Sequence, residues 1–208
     1  MILNDELFVR YGGITGSSTP DARLVAYQAA EEQVVYYLGF PLSPTQVTGE
    51  YPAYAVGYAT TLEFMRVMSL DYSAIVSLTG SHEVQNELVG VVTLVDNERG
   101  IIDTSQLYCY NMVHGYGLRV VYTAGLESGT FTSSALGMMA LTAAAQLLLN
   151  ELVVPGQTEA RVGIQEFTNM RYSEKRFPLN TSIFGSSAPA NYIRTLLNKF
   201  KVHRVGRV

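Results

Sequence analysis

The sequence predicts an α+β fold: a helical core of two main helices plus a C-terminal helix, an antiparallel β insertion, and an extended C-terminal arm. Three observations carry this. Two long segments with clear start and stop signals, 20–38 and 133–153, flank a stretch at 51–126 made of short β-rich runs broken by turn residues. Beyond 153 the helical period lapses and returns only near the end. The charge changes sign as well: residues 1–160 hold 5 Lys/Arg against 16 Asp/Glu, whereas residues 161–208 hold 9 against 2. The boundaries that follow are a body over 1–160 and an arm over 161–208. A chain that is 48% hydrophobic and 15% charged has the apolar content to build a sizeable core.

The helix over 20–38 is signalled residue by residue. Thr19 is placed to cap it, Pro20 occupies the first helical position, and Asp21 complements the dipole. Leu24, Tyr27, Val34 and Leu38 share a face, with Glu31 and Glu32 expected in water, and Gly39 and Pro41 end the helix. The Gly-rich run Tyr11–Gly16 has no Lys where a phosphate loop needs one, so it reads as a flexible lead into this helix.

In the middle of the chain, strands are expected at 60–67, 74–79, 89–95 and 118–123. Turn signals at Gly80, Asp96-Asn97 and Gly115-Tyr116-Gly117 separate them. Gln106–Met112 is compatible with a short helix or a further strand.

The next helix, 133–153, has Ser133 or Thr132 as its cap and Pro155-Gly156 as its stop. Its expected stripe is Leu136, Met139 or Ala140, Ala143, Leu147 and Asn150 or Glu151. Alanines at 140, 143, 144 and 145 would let another helix approach closely. Residues 156–187 are polar and aperiodic, and a run of that length is more often functional or a linker than part of a compact domain. Ser187-Ala188-Pro189 then opens a terminal basic helix with Ile193, Leu196, Leu197 and Phe200 spaced as one apolar stripe.

Enzyme chemistry finds little support. Cys109, the one cysteine, has His114 five residues on, yet a buried inert thiol is the simpler reading. His82-Glu83 lacks a second histidine at helical spacing, so no zinc protease motif is formed. No catalytic residue, cofactor or metal is expected. The N-terminus lacks the basic start and apolar run of a signal peptide, and Ala135–Val154 is interrupted by Thr142, Gln146, Asn150 and Glu151. Assembly in a cytosol without a membrane partner is the expectation.

From Arg119 onward the order of features resembles the head-to-tail connector, or adaptor, family of tailed bacteriophages. Arg119-Val-Val-Tyr-Thr-Ala-Gly125 matches a V-x-Y-x-A-G strand end before a long helix. An arm containing Phe167-Thr-Asn-Met-Arg-Tyr172 follows, then Asn191-Tyr-Ile-Arg-Thr-Leu-Leu197 and Lys199-Phe-Lys201. The helix at 20–38 also fits, whereas residues 40–118 depart from the simplest members as a larger β insertion. The resemblance implies a structural protein made in the host cytoplasm and placed in the virion neck. It further implies a ring of copies, commonly twelve, docked under the portal protein, receiving the next neck or tail component and leaving a channel for DNA without sequence-specific binding. A stopper or tail-terminator ring is the neighbouring alternative, and a small cytosolic enzyme or ligand-binding domain the distant one.

Within that picture the apolar stripe of the terminal helix is expected to lack a partner in its own chain and to gain order on assembly. Portal docking is therefore expected through Tyr192, Ile193, Leu196, Leu197, Lys199, Phe200, Lys201 and Arg204. The interleaved large apolar side chains favour a protein groove over DNA for this basic end.

Overall fold

The computed structural model describes residues 1–53, 56–77, 83–85, 91–110, 116–153 and 188–202. The chain divides into a helical unit, Met1–Tyr37 with Thr132–Lys201, and a β unit, Leu38–Phe131 with Val202–Val208. Helices and antiparallel sheets together make the α+β fold expected from the sequence.

In the helical unit, α1 (Asp5–Arg10) was not anticipated, although its cap is written in the sequence. Asn4 accepts a hydrogen bond from the Leu7 N–H at 2.9 Å, acids fill the first turn and Arg10 the last. Phe8 is buried with its ring centroid 5.1 Å from that of Tyr27.

Helix α2 (Pro20–Leu38) runs over the expected residues. The Ala22 N–H donates to Thr19 Oγ1 at 3.2 Å, and Gly39 ends the helix at φ +79. Its buried side is Ala26, Tyr27, Ala30, Val34 and Leu38. This centre, displaced toward the small residues, leaves Leu24 on the margin and 42% exposed, contrary to the expected stripe. Glu31 is also corrected: its carboxylate accepts the N–H groups of Ile2 and Leu3, so it holds the N-terminal segment and does not belong to a solvated face.

Helix α3 (Ala135–Val153) is capped by Ser134, not Ser133 or Thr132, with the Gly137 N–H donating to Ser134 Oγ at 3.4 Å. Its buried face is Met138, Leu141, Ala144, Ala145, Leu148 and Leu149. Of the expected stripe, Ala140 is fully buried, whereas Leu136 and Met139 lie on the more exposed side. A helix that is apolar nearly all round sets the phase of its buried face weakly. Helix α4 (Ala188–Leu197), continued by a 3-10 turn at Asn198–Phe200, packs closely along α3, which the buried alanines of α3 permit.

In the β unit, eight residues of β1 (Thr45–Pro52) pair with β7 (Tyr116–Ala124), so the β region opens at 45 and not at 51. The remaining strands are β2 (Ala59–Thr61), β3 (Val67–Ser77), β4 (Glu83–Gln85), β5 (Thr93–Asp96) and β6 (Ile101–Asp103). They form a four-stranded sheet ordered β1-β7-β3-β4 and a three-stranded sheet ordered β2-β6-β5, all antiparallel. The central strand β7 alternates cleanly: Leu118, Val120, Tyr122 and Ala124 enter the core with Leu62, Val67, Ile75, Val92, Ile102 and Leu107.

The expected strand over 60–67 is broken after Thr61. Its amides are spent on partners outside the segment: Leu62 N–H donates to Gly100 O at 2.8 Å, Glu63 N–H to the Tyr51 hydroxyl at 3.1 Å, Phe64 N–H to the Tyr122 hydroxyl at 3.2 Å, and Met65 N–H to Gly39 O at 2.8 Å. Arg66 turns the chain at φ +55, with its guanidinium 4.9 Å from the Phe40 ring centroid. The undecided segment after Thr104 is a 3-10 helix, Ser105–Tyr110.

Candidate interaction surface

The terminal helix decides where an interaction surface is available. Ala190, Ile193 and Leu197 are fully buried, and Phe200 is nearly so, within the helical unit. The expected lack of an intrachain partner is therefore corrected: α3 supplies one. The physical reason is that the small face of α3 lets α4 lie close enough to bury its own stripe. Leu196 is half-buried at the edge of this contact.

The remaining docking candidates divide cleanly. Tyr192 is 47% exposed, and Lys199 and Lys201 are exposed, whereas Arg204 lies outside the described residues. The Lys201 ammonium sits 4.5 Å from the Tyr37 ring centroid and 3.5 Å from its hydroxyl, tying the end of the described chain to the last turn of α2. A cation there also meets the negative end of the α2 dipole. Lys199 lies 5.9 Å over the Phe200 ring. The structure thus brings two ammonium groups and one exposed phenol to the outside of α4 and its turn, and withdraws three of the four apolar anchors into the core.

The more exposed side of α3 borders a cleft of about 350 Å³ that sequence reasoning missed. Met139, Thr142, Ala143 and Leu147 of α3 line it, together with Tyr11 and Tyr192. Gln146 and Asn150 close one part of it as a hydrogen-bonded pair, Gln146 Nε2 donating to Asn150 Oδ1 at 2.8 Å. Gln146 Oε1 in turn accepts the Ile14 N–H at 2.7 Å, fixing the segment between α1 and α2. Thr142 is buried, and its Oγ1 makes no hydrogen bond to the described residues.

Charge chemistry elsewhere in the helical unit is structural. Asp5 receives Arg23 Nη2 at 2.8 Å and Nε at 3.0 Å, and the Tyr27 hydroxyl at 2.9 Å. The Arg23 hydrogen bond, then that from Tyr27, holds the Asp5 carboxyl below its ordinary value, and burial pushes the Tyr27 phenol up. In the β unit, Tyr122 is likewise pushed up by burial, while Arg119 pairs with Glu50 across β7 and β1 at 2.8 Å.

Among the described residues no cluster of three or more His, Cys, Asp or Glu is arranged to hold a metal ion, and no helix is long and apolar enough to cross a membrane. His82 and His114 lie outside the described residues, as do residues 161–187 of the expected arm.

The chain matches no protein-family model and no curated protein sequence. Its fold does match solved structures. A chain from the virion of a native gene transfer agent particle superposes with a TM-score of 0.59 at 15% identity, over 98% of this chain and 91% of that one. A chain from the neck of an empty gene transfer agent particle, computed with C6 symmetry, gives 0.55 at 16% identity, over 96% and 89%. One from the neck of the native particle, computed with C12 symmetry, gives 0.50 at 15% identity, over 88% and 84%.

Proposed function

We propose that this chain is a ring-forming structural subunit of the neck of a phage-like particle, joining the portal vertex to the next neck or tail component around a channel for DNA. The observation that carries this reading is the fold likeness over nearly the full length of neck and virion chains of another such particle. Low identity with preserved length is what a shared architecture leaves when few single residues are chemically constrained. The C6 and C12 symmetries of those necks support a closed ring, and the reading here is twelve copies.

In this reading the portal is met by the outward side chains of Tyr192, Lys199 and Lys201, and by Arg204, which lies outside the described residues. Ile193, Leu197 and Phe200 act indirectly by seating α4 on α3, and Leu196 lies at the margin between the two roles. The basic end suits an acidic protein surface and makes attachment sensitive to salt. The reading assigns no reaction, cofactor or metal to the chain.

The test is reconstitution with the portal protein of the same particle, followed by electron microscopy and native mass spectrometry. A ring of this chain on the portal is the expected outcome. A chain that stays monomeric and never binds portal over a wide concentration range would refute the reading.

A further inference from the structure

The portal reading counts Lys201 among its outward side chains, and the fold gives that lysine a fixed seat. Lys201 leaves the 3-10 turn Asn198–Phe200 in extended backbone, at φ −68 and ψ 130, with its N–H donating to Asn198 O at 3.2 Å. Phe200 holds the turn from inside, being 6% exposed. From this base the ammonium lies 4.5 Å from the Tyr37 ring centroid and 3.5 Å from its hydroxyl. Tyr37 is half-buried in the last turn of α2, a turn with no basic residue of its own. An unconstrained lysine loses rotamer freedom when a partner immobilises it, which weakens binding. Here much of that ordering is already present in the free chain. Lys201 nonetheless stays exposed, and a ring face with one hydroxyl does not use all three donors of an ammonium.

We infer that Tyr37 is a positioning residue for portal docking: it holds Lys201 ready for an acidic group of the portal. The inference rests on the portal reading above. Tyr37 acts through Lys201, with the face of its ring supplying the attraction. The pair is hidden from sequence spacing because 164 positions separate the two residues.

The experiment measures portal binding at low and high salt for wild type and single variants at Tyr37 and Lys201, with melting temperature followed in parallel. Tyr37→Leu is expected to weaken binding about two- to fivefold with the salt dependence of wild type, because the charge is kept and only its seat is lost. Tyr37→Phe keeps the ring, and Lys201→Arg keeps a cation that stacks on it, so both should bind near wild type. Tyr36→Leu, one position away at a side chain 74% exposed, should also bind as wild type. Lys201→Gln should weaken binding and flatten its salt dependence. The Tyr37→Leu, Lys201→Gln double variant should be no weaker than Lys201→Gln alone. A folded Tyr37→Leu protein that binds as wild type does, or additive losses in the double variant, overturns the inference. If Tyr37→Leu fails to fold, isotope labelling of the three lysines decides: the Lys201 ε-methylene signal should be shifted by the ring in the free wild type and stay so on the portal. An unshifted signal, or a shift lost on docking, overturns the inference as well. Lys201→Gln binding as wild type overturns it while the ring reading stands, whereas wild type that never binds portal removes both.

Discussion

Leu197→Ala separates a terminal helix that belongs to the fold from one that waits for a partner. Leu197 is fully buried in the helical unit, beside the equally buried Ile193 and Ala190 of the same helix. Truncating a buried leucine removes its transfer free energy and leaves a cavity, together costing about 2–5 kcal/mol. With a urea slope of about 2 kcal/mol per molar, the unfolding midpoint should fall by roughly 1–2.5 M. Far-UV circular dichroism reports the transition, because helices α1 to α4 supply the α-helical signal of the described residues. Leu196→Ala, at the half-buried edge, should shift the midpoint much less. A Leu197→Ala protein that unfolds at the wild-type urea concentration yet fails to bind portal would refute the packing argument. It would restore the reading in which this stripe is reserved for another protein.

Three further outcomes follow from the same geometry. Gly125→Ala should destabilise the β unit by more than the 1–3 kcal/mol typical of strained backbone, because φ is +129 and a Cβ there would lie 2.3 Å from the Ser43 carbonyl oxygen; thermal unfolding checks it. Tyr122→Phe leaves the Phe64 amide without its acceptor and should cost about 1–3 kcal/mol in the same assay, the ring packing being kept. Asp5 titrates below its ordinary value when folded, so its contribution is present above the unfolded pKa and is lost as pH falls through the folded one. Stability measured from pH 6 downward should therefore fall more steeply below about pH 4 in wild type than in Asp5→Asn, and parallel curves would contradict the assignment.

Local punctuation was the most legible part of the sequence. Thr19, Pro20 and Gly39 bound α2 at the residues they mark, because capping and left-handed termination are decided within one turn of chain. The strand end Val120-Val-Tyr-Thr-Ala-Gly125 was legible for a similar reason, and its chemistry is now specific. Tyr122 anchors the 62–66 bend from the core, and Gly125 is required by the close approach of Ser43. What failed was anything set by a distant partner. Thr60–Val67 has strand composition throughout, but Tyr51, Tyr122, Gly39 and Gly100 take its amides from outside the segment. No local pattern records that.

The candidate site shows the same division in a more consequential form. An amphipathic stripe says that one face of a helix must be covered, and Ile193, Leu197 and Phe200 say so plainly; it does not say by what. The cover is α3, whose alanines permit close approach by α4. Helix α4 buries Ile193 and Leu197 within the helical unit, while its Tyr192 stays 47% exposed and borders the same cleft as Met139 and Ala143 of α3.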